Sequence, residues 1–159
     1  MSAQKAKQVR DALKKELGLN SRQVSVRSPH WSSIHVTIKT ADAKYAAVQE
    51  IARRVEHVRY CQFSGDILSG GNTFVTVEFD DAVINKMAES PSIVKAVTAA
   101  LAAPGINIAL DDTDKSLSFD RGESIIYIWN TEGMPERLWI TGTLKYDCRA
   151  VATSLLKVV

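Results

Sequence analysis

The chain has 159 residues, 45% of them hydrophobic and 24% charged, the balance of an ordinary soluble globular protein with one sizeable core or two small ones. Its longest apolar stretches, Ser124–Trp129 and the run around Val97–Ala103, fall well short of the roughly 20 residues that a membrane-spanning helix needs. The N-terminal MSAQKAKQVRDALKKELG is polar and mixed in charge, with none of the apolar core of a secretory signal, so the expected location is the cytoplasm.

Val9, Leu13 and Leu17 recur every four residues, with Ala6 and Ala12 nearby, which predicts an amphipathic helix that Gly18 ends. Asn20-Ser21 makes a turn, and Gln23–Arg27 alternates as a half-buried strand. Ser28–Ser32 breaks the alternation before Ile34, Val36 and Ile38 resume it, so the two runs form a hairpin with one face on a core. Asp42 is a candidate N-cap for a second helix carrying Tyr45, Val48, Ile51, Ala52 and Val55. Arg59–Phe63 is a candidate short strand, Ser64–Asn72 a glycine-bearing loop, and Thr73–Phe79 a strand.

From Asp81 the period becomes helical, with a second helix after Ser90-Pro91 that Pro104-Gly105 closes. Ile106–Leu110, Ser116–Asp120, Ser124–Trp129 and Arg137–Lys145 are predicted strands. Turns fall at Asp111–Lys115, Arg121-Gly122 and Glu132-Gly133-Met134-Pro135, and a terminal helix runs from Asp147. The expected fold is α+β: two small units, residues 1–80 and 81–159, each an antiparallel sheet covered on one face by helices.

The net charge of +2 conceals an asymmetry. Residues 1–64 hold 12 basic and 5 acidic side chains, a net of +7, and residues 65–159 hold 8 and 13, a net of −5. A basic first half suits phosphates or an acidic protein surface, and it would equally suit attraction between the halves. The cations are Lys5, Lys7, Arg10, Lys14 and Lys15 on the first helix, Arg22 and Arg27 on the first strand, and Arg53, Arg54 and Arg59 around the second helix. Of these Lys7, Arg10, Lys14, Arg27, Arg53 and Arg54 are the candidate binding face, against the reading of an ordinary solvated surface.

No catalytic constellation stands out. His30, His35 and His57 share no ligand or acid–base spacing, although His30 and Trp31 on the hairpin loop could stack on a base or a partner side chain. Asp111, Asp112 and Asp114 with Asp120 and Glu123 lack the full pattern of a calcium loop and read as a solvated acidic turn. Gly65, Gly70 and Gly71 are turn glycines, because no lysine-plus-hydroxyl follows them. Cys61 and Cys148 have no C-x-x-C spacing and are expected to be reduced, small side chains packed behind a strand or helix. No metal or cofactor is expected.

Val9-Arg10 and Leu13-Lys14-Lys15-Glu16, then Val24-Ser25-Val26-Arg27-Ser28 and Ser32-Ser33-Ile34-His35-Val36, together resemble the small domain associated with large polyvalent proteins, whose hallmark is a lysine-rich helix followed by an F-S-V-R, S-S-I-x-V hairpin. Phe63-Ser64-Gly65-Asp66 is similar to the F-D-G step that follows there. The resemblance covers roughly residues 7–80, with Gln23 where an aromatic is usual and Ser64 where an aspartate is usual. It implies a phage or conjugative-element protein in a bacterial host and brings no catalytic residues; Ser25, Arg27 and Ser33 match best.

The first functional expectation is therefore a non-enzymatic binding protein, an inhibitor that occupies a host defence complex such as a CRISPR or restriction effector. The alternative is a DNA- or RNA-binding module using the basic half. An enzyme is the least favoured reading, and the oligomeric state is not legible.

Overall fold

The computed structural model describes residues 2–111, 113–129 and 134–158. The fold is α+β, with five helices and two sheets, of three and four strands, among those residues. The chain divides into two compact units, Met1–Val83 with Lys157–Val159, and Ile84–Leu156.

In the first unit α1 (Ser2–Leu17) buries Ala6, Val9 and Leu13, spaced three and four residues apart on one stripe. Lys14 and Lys15 occupy its last turn, where cations complement the helix dipole. Gly18, at φ +68°, then reverses the chain so that the Leu19 amide bonds the Leu13 carbonyl at 3.3 Å. The Asn20 side chain accepts from the Arg22 amide at 2.9 Å and sets the turn into β1.

β1 (Val24–His30) and β2 (Ser33–Ile38) form the antiparallel hairpin that the alternation predicts. Strand β1 continues through Ser28 and Pro29, where the sequence suggested a break, because a bulge between Arg27 and His30 absorbs the irregularity. Proline is tolerated there because β1 is an edge strand and needs no ladder amide.

Asp42 does not cap the second helix. α2 (Tyr45–Arg53) starts from Lys44 without a side-chain cap, and the Asp42 carboxylate meets the Thr40 hydroxyl at 3.4 Å instead. Its first residue is fixed by packing: Tyr45 stacks on Phe79 with ring centroids 5.8 Å apart and donates to the Val77 carbonyl at 3.1 Å.

The sheet order is β1-β2-β3, and β3 (Phe74–Phe79) runs parallel to β2 rather than antiparallel as expected. The physical reason is α2, which carries the chain back between the two strands as a crossover. Register places Ile34 opposite Val75, Val36 opposite Val77 and Ile38 opposite Phe79. Those residues, with Val24 and Val26, face Val9 and Leu13 of α1 and Val48, Ile51 and Ala52 of α2. Each fully buried aliphatic side chain contributes about 1.5–3 kcal/mol to this core. The opposite sheet face, carrying Ser25, Arg27, His35, Thr37, Thr76 and Glu78, is half-buried to exposed. The free edge of β3 is blunted, since Glu56 accepts from the Val75 amide at 3.2 Å.

The segment Arg59–Phe63 is not a strand. An apolar run forms one only beside a partner strand, and here the chain makes isolated bridges, Tyr60 with Ile67 and His57 with Thr73.

Helix α3 (Asp81–Ala88) begins in the first unit and continues into the second, where α4 (Pro91–Ala102) precedes β4 (Ile108–Ala109), β5 (Ser116–Asp120), β6 (Ile125–Trp129) and β7 (Glu136–Trp139), the strands all antiparallel in that order. Strands β4 and β7 are shorter than predicted. The terminal helix α5 (Leu144–Val158) begins three residues before Asp147. Buried Asp147 reaches back to accept from the Thr141 amide at 2.7 Å and hydroxyl at 3.0 Å, which ends the strand and starts the helix. Leu117, Phe119, Ile126 and Ile128 share the buried face with apolar residues of α4 and α5, and Tyr127, Trp129, Arg137 and Trp139 lie on the other. Asp112, Glu132 and Gly133, assigned above to turns, lie outside the described residues. No helix among the described residues is long and apolar enough to cross a membrane.

Candidate binding site

Parallel pairing of β2 with β3 brings the hairpin turn and the start of β3 to the same end of the first sheet. Trp31 and Ser32 form the two-residue turn, Ser33 pairs with Phe74, and the Phe74 amide bonds the Ser32 carbonyl at 2.8 Å. Trp31 is 90% exposed.

The connection from α2 to β3 projects from this same end. His57 and Thr73 exchange backbone hydrogen bonds at 3.0 and 2.6 Å across its base. Asn72 locks that base, donating to the Leu68 carbonyl at 2.7 Å and accepting from the Arg59 amide at 2.9 Å. Further out, Cys61 and Asp66 pair through a 2.7 Å bond, and Gly65 at φ +73° closes the tip. The protrusion exposes Tyr60, Ile67 and Leu68, and Phe63 at its tip is 100% exposed.

Between turn and protrusion lies a cleft of about 600 Å³, lined by Lys5, Trp31, Ser32, Phe74 and the Gly70–Thr73 segment. That is within the 300–1,000 Å³ of typical ligand pockets. The Lys5 ammonium is anchored by the Thr73 hydroxyl at 2.6 Å and the Val55 carbonyl at 3.3 Å, both neutral acceptors. Gly70 and Gly71 have φ of +81° and +74°, a backbone that side chains other than glycine rarely adopt, so the floor is bare main chain.

The six candidate cations do not share one face. Lys7, Arg10 and Lys14 follow one another at spacings of three and four on α1 and are exposed, with no ion pair among the described residues. Arg27 projects from the sheet face opposite the helices, in register with His35. Arg53 lies 4.0 Å from Glu56. Arg54 is held by Glu16 at 2.7 Å and Glu50 at 3.3 Å, and hydrogen bonding to Glu16 first, then Glu50, raises its pKa. Its charge is thus largely spent within the unit.

His30 is exposed beside Trp31, at the end of β1. Among the acidic residues, Asp111 pairs with Lys95 at 3.4 Å, and Asp120 accepts from the Gly122 and Glu123 amides at 2.8 and 3.1 Å, which is turn chemistry.

Both cysteines are free. Cys148 is buried, and desolvation raises its pKa. Cys61 departs from the expected packed position: it sits half-buried in the protrusion, where hydrogen bonding from the Ser64 side chain, and then from the backbone of Ser64 and Phe63, lowers its pKa to about 7.

Sequence reasoning points to Trp31 and His30, counts Lys5 only as a cation of the first helix outside the candidate binding face, and misses Phe74 and the exposed apolar side chains of the protrusion as site residues. The pair Gly70-Gly71 was the available signal, since adjacent glycines allow close approach of a ligand to main chain. No family model, no curated protein and no solved structure matches this chain.

Proposed function

We propose that the protein is a non-enzymatic binding protein that engages another protein through the end of its first unit, with Trp31, Phe74 and the protrusion as anchors. The observation that carries this is the concentration of large apolar side chains there, with Phe63 wholly and Trp31 almost wholly in water. Aromatic side chains left exposed together are costly to a monomer and are the usual anchors of protein interfaces. The resemblance of residues 7–80 extends the reading to a phage or conjugative-element protein that occupies a host defence complex, a CRISPR or restriction effector.

The test is co-purification from a bacterial host lysate with tagged wild type and with the Trp31→Ser/Phe63→Ser double variant. A stoichiometric partner retained by the wild type and lost from the variant is expected. A partner retained equally by both would refute the reading.

A second reading, nucleic-acid binding, is favoured only by the exposed ridge of Lys7, Arg10 and Lys14, which forms no ion pair among the described residues. Three phosphate contacts imply a log–log salt slope of about −2.7, so duplex affinity should fall roughly fortyfold between about 50 and 200 mM salt. Fluorescence anisotropy at the two salt concentrations measures this, and a flat response removes it.

A further inference from the structure

We propose that the cleft between Trp31 and Phe74 captures the C-terminal carboxylate of a partner chain whose last side chain is apolar, with Lys5 holding the carboxylate. This rests on the protein-binding reading above and names the chemistry of the partner.

Among the described residues no carboxylate lines the cleft, and the Lys5 ammonium is fixed by two neutral oxygens, which leaves one N–H and the whole positive charge for a ligand. An anion is the complement.

The number of cations selects the kind of anion. Nucleic acid offers a row of phosphates and is met by a row of lysines and arginines, whereas Lys5 is the single cation lining this cleft among the described residues. One fixed ammonium matches one carboxylate. The walls then require an apolar group close to that charge, since the indole of Trp31 and the ring of Phe74 share the cleft with Lys5. The terminal residue of a polypeptide carries both on a single Cα. The bare main chain of Gly70 and Gly71 lets a peptide backbone approach, as in other sites that capture chain ends.

The test uses the full chain and fluorescein-labelled hexapeptides, Gly-Ser-Gly-Ser-Leu-Phe as the free acid and as the C-terminal amide, with a ten-nucleotide oligothymidine as a third probe. Anisotropy should report the acid binding at least about tenfold more tightly than the amide, the worth of one charge-assisted hydrogen bond. Lys5→Met should erase that ratio, Lys5→Arg should keep most of it, and Trp31→Ser should weaken the acid peptide. Equal binding of acid and amide, tighter binding of the oligonucleotide, or no binding of any probe would each overturn the proposal. The two levels fail separately. If the lysate partner is lost from the Trp31→Ser/Phe63→Ser variant while acid and amide bind alike, the carboxylate inference falls and the protein-binding reading stands. If the variant keeps the partner, the reading itself falls.

Discussion

Replacing Lys5 by methionine separates what this side chain does for the fold from what it does for a ligand. Methionine keeps the length and apolar stem of lysine and removes the ammonium. Two hydrogen bonds go with it: a short one of 2.6 Å to the Thr73 hydroxyl, whose residue is buried, and a longer one of 3.3 Å to the Val55 carbonyl. Hydrogen bonds from a charged donor contribute about 1.5–3 kcal/mol, and the longer, partly exposed one adds little. The net cost is therefore about 2 kcal/mol, and in a unit of this size each kcal/mol moves a midpoint by roughly 4–8 °C. The control is Lys7→Met, two residues along the same helix, where the side chain is exposed and has no partner among the described residues. Such a surface change stays within about 0.5 kcal/mol. Hydrogen exchange read by mass spectrometry on peptides covering residues 24–38 reports the first sheet in the intact chain. Faster exchange in Lys5→Met than in Lys7→Met is expected. Equal protection in the two variants would refute the claim that Lys5 ties α1 to the segment before β3.

Three more outcomes follow from particular contacts. Cys61 should be alkylated by iodoacetamide with a rate midpoint near pH 7, its thiolate present above that pH and lost below it; Ser64→Ala should move the midpoint up toward the ordinary thiol range, and an unmoved midpoint would show that Ser64 is not the cause. Asp147→Ala should cost about 1–3 kcal/mol in urea denaturation, because the Thr141 amide and hydroxyl lose their acceptor, and a neutral result would mean that water replaces it. On the central strand Ile34→Ala should cost about 2–5 kcal/mol, whereas Thr76→Ala on the opposite sheet face should cost under about 0.5 kcal/mol; similar costs would contradict the one-sided core.

What the sequence made legible is what periodicity encodes. The stripe of Ala6, Val9 and Leu13 and the alternation of Ile34, Val36 and Ile38 report which side of an element is apolar, and that side is the buried one. The spacing of Lys7, Arg10 and Lys14 likewise puts them on one helix face. Periodicity says nothing about partners far along the chain. Arg54 reads as a free cation although Glu16, 38 residues away, pairs with it, and Lys5 reads as one more basic residue of the first helix because its partner Thr73 is 68 residues away. Boundaries failed where a side chain overrides propensity: the Asp147 carboxylate sets the start of α5, and Tyr45 packing on Phe79, not the candidate cap Asp42, sets the start of α2. Arg59–Phe63 has the apolar content of a strand but no neighbouring strand to join, so Tyr60 and Phe63 stay in water.

The direction of β3 is the decision from which the candidate site follows. Had β3 paired antiparallel with β2, as the hairpin alone suggested, it would begin beside Ile38, and Phe74 would lie at the far end of the sheet from Trp31. Parallel pairing sets Phe74 against Ser33, one residue beyond the Trp31-Ser32 turn, and obliges the chain leaving α2 to arrive at that end. The residues between Arg54 and Thr73 exceed what a short crossover loop needs. The surplus is spent on the protrusion and on the Gly70–Asn72 floor, and both are pinned to the sheet by His57 and Thr73. A deletion of residues 60–67 bridged by two glycines therefore leaves the buried register of Ile34, Val36 and Ile38 intact, because none of those residues touches the register of β2 with β3. The shortened chain should keep its far-ultraviolet circular dichroism and its exchange protection over residues 24–38 while losing the partner that the wild type retains. Collapse of protection in the first sheet would show instead that the protrusion is part of the fold and not an appendage built for contact.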